Sequence, residues 1–290
     1  MRISVIQISS ILFAFFSAFT FSSCEKQEEV AGCRFPSDLG ASYSMVWSDE
    51  FDGDSVDDSK WSYDLGDGCD ISPDLCGWGN NELQYYTDRP ENVRVNDGIL
   101  TMTAKREFPL YLNQHQYTST RMVTKNKGDW RYGRIDVRAR LPIGQGLWPA
   151  IWMLPTDNVY GGWPKSGEID IMEYLGNDPD RVFGTIHYGH DFWRFTSEYF
   201  EKDASPNFND EFHIFSVLWN EDCIQMMVDG EPFGTPFSRS TTLPTTWPFD
   251  QNFHLIMNIA VGGNLPGNPD ASTQFPQVME VDYVRVFQEG

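Results

Sequence analysis

Between Arg134 and Leu141 charged and apolar residues alternate without a break, a period of two that suits a strand with one buried face and not a helix. The pattern recurs along the chain. Residues 93–95 and 99–104 flank Asn96-Asp97-Gly98, whose residues tolerate the left-handed turn of a tight hairpin. Further strands are expected over 212–219, over 224–228 before Asp229-Gly230, over 255–261 and over 281–287. Long helical periodicity is absent, which argues against a parallel α/β architecture, and many short antiparallel strands imply an all-β sandwich. Ten Trp and 21 Phe are enough for a sizeable core plus exposed rings. No internal repeat or break in composition marks a second domain, so residues 43–290 are expected to form one unit.

One of these strands is chemically unusual. The run Ser166 to Tyr174 carries Glu168, Asp170 and Glu173 among apolar neighbours. Side chains alternate faces along a strand, so Glu168 and Asp170 share one face while Ile169 and Ile171 take the other. Glu173 would fall on the wrong face of a regular strand. A β-bulge near Ile171-Met172 would return it, as bulges re-aim side chains beside active sites. A pair of acids on one face suits glycoside hydrolysis, where in retaining enzymes the two carboxyls lie ~5 to 5.5 Å apart. Sheet curvature and converging side chains must then close a backbone separation of ~13 Å. Asp170, between them, is placed to hydrogen-bond one glutamate. The plainer reading of an isolated E-x-D is a solvated surface strand.

Several blocks surround that strand in order: Val46-Trp47-Ser48-Asp49-Glu50-Phe51, residues 78–87 (WGNNELQYYT), residues 146–154 (GLWPAIWML), Gly184-Thr185-Ile186-His187-Tyr188, and residues 258–264 (NIAVGGN). Together they resemble glycoside hydrolase family 16, in its laminarinase-like branch, over about Met45 to Phe287. The resemblance implies a jelly roll of two curved antiparallel sheets with an open concave cleft. It also implies an endo-acting, retaining hydrolase of internal β-1,3-glucosidic linkages, with Glu168 as nucleophile, Glu173 as acid/base and Asp170 as their assistant. The bulged, Met-containing acidic motif is typical of the 1,3-glucanase and galactanase branches. A related galactan hydrolase, a transglycosylase and a non-catalytic glycan-binding protein are the competing readings.

A sugar cleft needs aromatic platforms and polar donors. Trp148 and Trp152, four apart in a strand, lie on one face, and by family position they flank the sugars. Trp163 would add a wall, and Trp193 would line the other end. His187 is expected beside the acids, donating to Glu173 or to a sugar hydroxyl. Asn81 (or Asn80), Arg121 and Glu82 are further hydroxyl-binding candidates, whereas His213 and His254 are read as structural. The resemblance also places a structural calcium ion away from the cleft, at Glu50, Gly98 and Asp282, and no cofactor is required for catalysis.

Residues 1–23 read as a lipoprotein-type signal: Arg2, an apolar run, then Ser22-Ser23 before Cys24. Residues 24–42 read as a polar tether, and its acidic start suggests an exported chain held at the outer membrane or cell surface through Cys24, with plain secretion as the alternative. The membrane is then met only through that anchor. In an oxidising compartment Cys33, Cys69, Cys76 and Cys223 are free to pair. Cys69 and Cys76, flanking Ser72-Pro73-Asp74, suit a loop-closing disulfide better than a metal site, and the full connectivity stays open. A net charge of −21 repels polyanions, which excludes nucleic acid and favours a neutral β-glucan, although acidity also serves solubility. A monomer is expected.

Overall fold

The computed structural model describes Cys33, Phe35 and residues 42–202, 206–240, 242 and 247–290. The signal segment, Cys24 and most of the tether lie outside the described residues. The first strand, Tyr43–Asp49, begins where the tether was expected to end.

The described strands form two sheets, of eleven and eight strands. Pairing is antiparallel almost throughout, and a parallel contact joins Gln84–Tyr86 to His115–Ser119. The larger sheet is centred on Gly133–Arg140, flanked by His213–Trp219 and Gln277–Glu289. Its period-two pattern works as expected, with Ile135, Val137 and Ala139 fully buried. The expected hairpin forms between Val93–Asn96 and Ile99–Tyr111, with Asp97 at φ 51° and Gly98 at φ 77° in its turn. Two successive left-handed residues match the right-handed twist of the flanking strands.

The smaller sheet runs in the order Arg194–Glu201, Arg181–Tyr188, Glu168–Tyr174, Leu147–Pro155, Phe253–Val261, Arg121–Val123, Ser62–Tyr63. Its inward residues, among them Ile151, Met153, Ile169, Met257 and Ile259, pack in one cluster with Leu100, Met102 and Val137 of the larger sheet. Each such side chain contributes about 1.5 to 3 kcal/mol of transfer free energy on burial, so the sandwich supplies a rigid platform for whatever projects outward.

Two disulfides are present. Cys69–Cys76 closes the short loop as expected, with Cα atoms 4.2 Å apart. Cys33–Cys223 spans 190 positions and fastens the segment before the first strand to the start of Cys223–Val228, in the eleven-stranded sheet.

Candidate active site

The bulge is where the parity of the acids required it. Ala150 pairs with Glu173 and Ile151 with Met172, but Trp152 pairs with Asp170, leaving Ile171 as the extra residue. On the opposite flank Asp170 faces Thr185 and Glu173 faces Phe183, so the same insertion is absorbed there. Ile171 and Met172 both enter the core, at 2% and 0% exposure. Two consecutive inward residues restore Glu173 to the outward face, and all three acids line one cleft with Trp148, Trp152 and Asn258.

Each acid has its own donors. Trp163 Nε1 donates to Glu168 Oε2 at 2.7 Å. Trp148 Nε1 and Thr185 Oγ1 each donate to Glu173, both at 3.3 Å. His187 Nε2 lies 3.2 Å from Asp170 Oδ2 and 3.8 Å from Glu168 Oε1, in ion-pair range. Trp193 Nε1 donates to His187 Nδ1 at 3.0 Å. An indole nitrogen can only donate, so Nδ1 must be bare and the imidazole proton sits on Nε2, aimed at the acids. The expectation that His187 would serve Glu173 is thereby corrected: strand register sets His187 opposite Glu168, while Glu173 stands opposite Phe183.

Burial raises all three carboxyls. Glu168 is pushed up to about 8, with Asp170 adding to the effect of burial, and His187 and the Trp163 indole pulling the other way. Asp170 rises well above the usual range through burial and then the Glu173 charge. Glu173 is raised by burial, against His187, Thr185 and Trp148. The trio therefore retains protons at neutral pH, as a site that must protonate a leaving group requires. The donors decide where the negative charge is best tolerated. Glu168 receives the shortest hydrogen bond among the three and faces the imidazole N–H, so its anion is the one the surroundings compensate.

A second acid, Glu82, lies in the same cleft beyond Trp152. Gln84 Nε2 donates to its Oε2 at 2.7 Å, Tyr86 OH to the same oxygen at 3.3 Å, and Asn80 Nδ2 to Oε1 at 3.3 Å. Tyr86 OH in turn accepts from Asn258 Nδ2 at 2.9 Å, and Asn258 Oδ1 accepts from Trp152 Nε1 at 2.7 Å. This unbroken relay fixes the Trp152 ring. Arg121 completes the wall: its guanidinium stacks over Trp78 and Trp152, 4.4 and 4.8 Å from the ring centres, and pairs with Asp64 at 3.0 Å.

Residues 80–285 match the family described as glycosyl hydrolases family 16. The chain belongs to family 16. A glucan endo-1,3-β-glucosidase A1 of Niallia circulans is 44% identical over 86% of this chain, which spans 38% of that longer protein. A β-glucanase of Rhodothermus marinus is 43% identical over 87% of each chain. The laminarinase catalytic domain of Thermotoga maritima superposes with a TM-score of 0.78 at 42% identity, covering 86% of this chain and 99% of that one.

Within this family 16 cleft the predicted residues are mostly gathered. Trp148, Trp152 and Arg121 line it, and Trp163 stands at its wall over Glu168. Asn80 and Glu82 line it too, whereas Asn81 is exposed and donates to Asn264 Oδ1 at 2.7 Å. His213 and His254 are structural as read: His213 is buried on Asp229 at 2.7 Å, and burial drives His254 down to about 3. Asn258, Thr185 and Trp78 escaped sequence reasoning as site residues. Asn258 did leave a signal, an amide in the midst of the run Leu255 to Val261, every member of which is buried.

Away from the cleft, register gathers the three residues proposed for calcium. Asp49 pairs with Val284 and Leu100 with Val281, which brings Glu50, Gly98 and Asp282 to one part of the eleven-stranded sheet. Oxygen donors of this kind fit a hard cation. The carboxylates are already engaged, Asp282 by Arg138 at 2.6 Å and Glu50 by Arg285 at 2.7 and 2.9 Å.

Proposed function

We propose that this chain is an endo-acting, retaining β-glucanase that cleaves internal 1,3 linkages of laminarin-like polymers and accepts mixed-linkage chains. The observation that carries the reading is the bulged strand that turns Glu168 and Glu173 into one aromatic-walled cleft. Glu168 attacks the anomeric carbon and Glu173 protonates the departing oxygen, leaving a glycosyl ester on Glu168. Glu173, now a carboxylate, takes a proton from water as that water displaces Glu168. Asp170, bonded to Glu168 and held under His187, steadies the nucleophile through the charge changes. The relatives' printed activities support a glucan, and the absence of a basic field suits a neutral polymer. Replacing Glu168 by Ala should abolish hydrolysis of laminarin, and azide should restore turnover by attacking in its place. Undiminished hydrolysis by Glu168→Ala would reject the assignment. Sizing the products from a defined oligosaccharide distinguishes hydrolysis from transfer, since the same ester can be taken by a sugar hydroxyl. A reducing-sugar screen over laminarin, lichenan, curdlan and agarose separates the glucan reading from the galactan one.

Two further expectations stand as proposals. A calcium ion on the carbonyls of Glu50 and Gly98 with Asp282 would brace the sandwich, and chelation should then lower the melting temperature; an unchanged value argues against the ion. Export with acylation at Cys24 predicts incorporation of labelled fatty acid, lost in Cys24→Ser. Absence of label in the native chain would leave a secreted protein.

A further inference from the structure

We infer that the cleft continues across the outermost strand, Arg194–Glu201, as an aromatic-walled aisle that holds additional sugar units on the side away from Trp148 and Trp152. The inference rests on the β-glucan reading and names where more of that polymer binds. Register carries it. Glu168 pairs with His187 and His187 with Phe195; Asp170 pairs with Thr185 and Thr185 with Ser197; Glu173 pairs with Phe183 and Phe183 with Tyr199. Cross-strand partners share a face of the sheet. Three parallel rows therefore leave the acids and run outward over two strands, ~10 Å at ~4.8 Å per strand.

The rows differ in kind. The middle one is a polar floor, with Thr185 Oγ1 and Ser197 Oγ 2.9 Å apart and Thr185 also bonded to Glu173. The flanking rows end in rings. Phe195 and Tyr199 are 57% and 56% exposed, four positions apart, so they stand on either side of that floor. Trp193, 56% exposed, stacks on Phe195 at 5.4 Å and on His187 at 5.9 Å, and it lies 5.9 Å from Trp163, whose N–H is on Glu168. The exposed rings are thus continuous with the catalytic acids. Rings of this size are costly to leave in water on an edge strand. Aromatic faces beside hydroxyl groups are what a neutral sugar chain uses, apolar ring faces against the walls and hydroxyls against the floor.

The test is Phe195→Ser/Tyr199→Ser, compared with the native chain on laminarin and on laminari-oligosaccharides of decreasing length. Loss of two stacking platforms should raise KM for laminarin about tenfold with kcat little changed, and the KM penalty should shrink as the oligosaccharide shortens. A melting temperature equal to the native one shows that the fold is intact. In parallel, native and variant chains are run through gels containing laminarin, lichenan or agarose. Reduced retardation of the variant supports the aisle whichever polymer is the substrate; an inactive native chain that is still retarded would reject the glucanase reading alone. Native KM values in the variant, or equal migration in all three gels, would overturn the aisle. So would sedimentation showing that the native chain is a dimer and the variant a monomer, because the rings would then cover a second copy.

Discussion

Two carboxylate sites share this cleft and teach different lessons. Glu82 is buried, and three donors from Asn80, Gln84 and Tyr86 surround it. Glu168, Asp170 and Glu173 are buried beside one another, and like charge adds to burial in lifting Glu168 and Asp170. Burial raises the carboxyl at both sites. The neighbours then separate their roles. Ample donors make Glu82 an anchor for the Tyr86–Asn258–Trp152 relay, whereas mutual repulsion leaves the trio ready to exchange protons.

The largest expected consequence is catalytic. Removing Glu168 as Ala should lower kcat by roughly four orders of magnitude or more, the scale seen when a covalent nucleophile is lost, while Glu82→Gln retains the chemistry and raises KM. Equal kcat losses in steady-state assays would erase the distinction.

The sharpest contrast is one of sign in stability. Glu168 has a folded value of about 8 against an ordinary 4.5. A raised folded pKa means that the folded state binds more protons than the unfolded one between these values. Its contribution is therefore full below about 4.5 and is lost as pH rises towards 8. Glu168→Gln should melt higher than the native chain at pH 8, and the gain should vanish by pH 4. Glu82→Gln should melt lower, since its Oε1 and Oε2 both accept from donors and either amide orientation sets an N–H against one of them. A misplaced donor there costs about 1 to 3 kcal/mol. Melting curves that shift in the same direction for both variants would break the comparison.

A smaller effect is expected at Asn258. Asn258→Ala leaves Trp152 Nε1 without its acceptor and Tyr86 OH without its donor. KM should rise several-fold with kcat nearly unchanged, because the ring loses its orientation while the acids keep theirs. A fall in kcat with KM preserved would mean that Asn258 acts on the acids instead.

Local pattern carried much of this design. The strict alternation of Gly133–Arg140 and the Asn96-Asp97-Gly98 turn were readable because both depend on adjacent residues. The bulge was readable for the same reason: Glu168, Asp170 and Glu173 cannot share a face without an extra residue. What depended on pairing across the chain was not. The partner of His187 is set by register, and the Cys33–Cys223 bridge joins positions 190 apart, a choice that spacing does not make. The outer strand Arg194–Glu201 was missed because its aromatics lie on both faces, Phe195 and Tyr199 outward and Phe200 against the core, which destroys the period-two signal. Asn81 was favoured over Asn80 although a left-handed φ of 59° at Asn81 turns it to the rim.

The claim on which the rest depends is that Glu168 forms the covalent bond to sugar. Incubating the enzyme with a 2-deoxy-2-fluoro laminaribiosyl fluoride and digesting it for mass spectrometry tests this directly. The account predicts one added glycosyl mass on the peptide bearing Ser166 to Tyr174, with fragmentation placing it on Glu168. An adduct on Glu173 or Asp170, or no adduct from an enzyme whose first-formed product has inverted configuration, would contradict it.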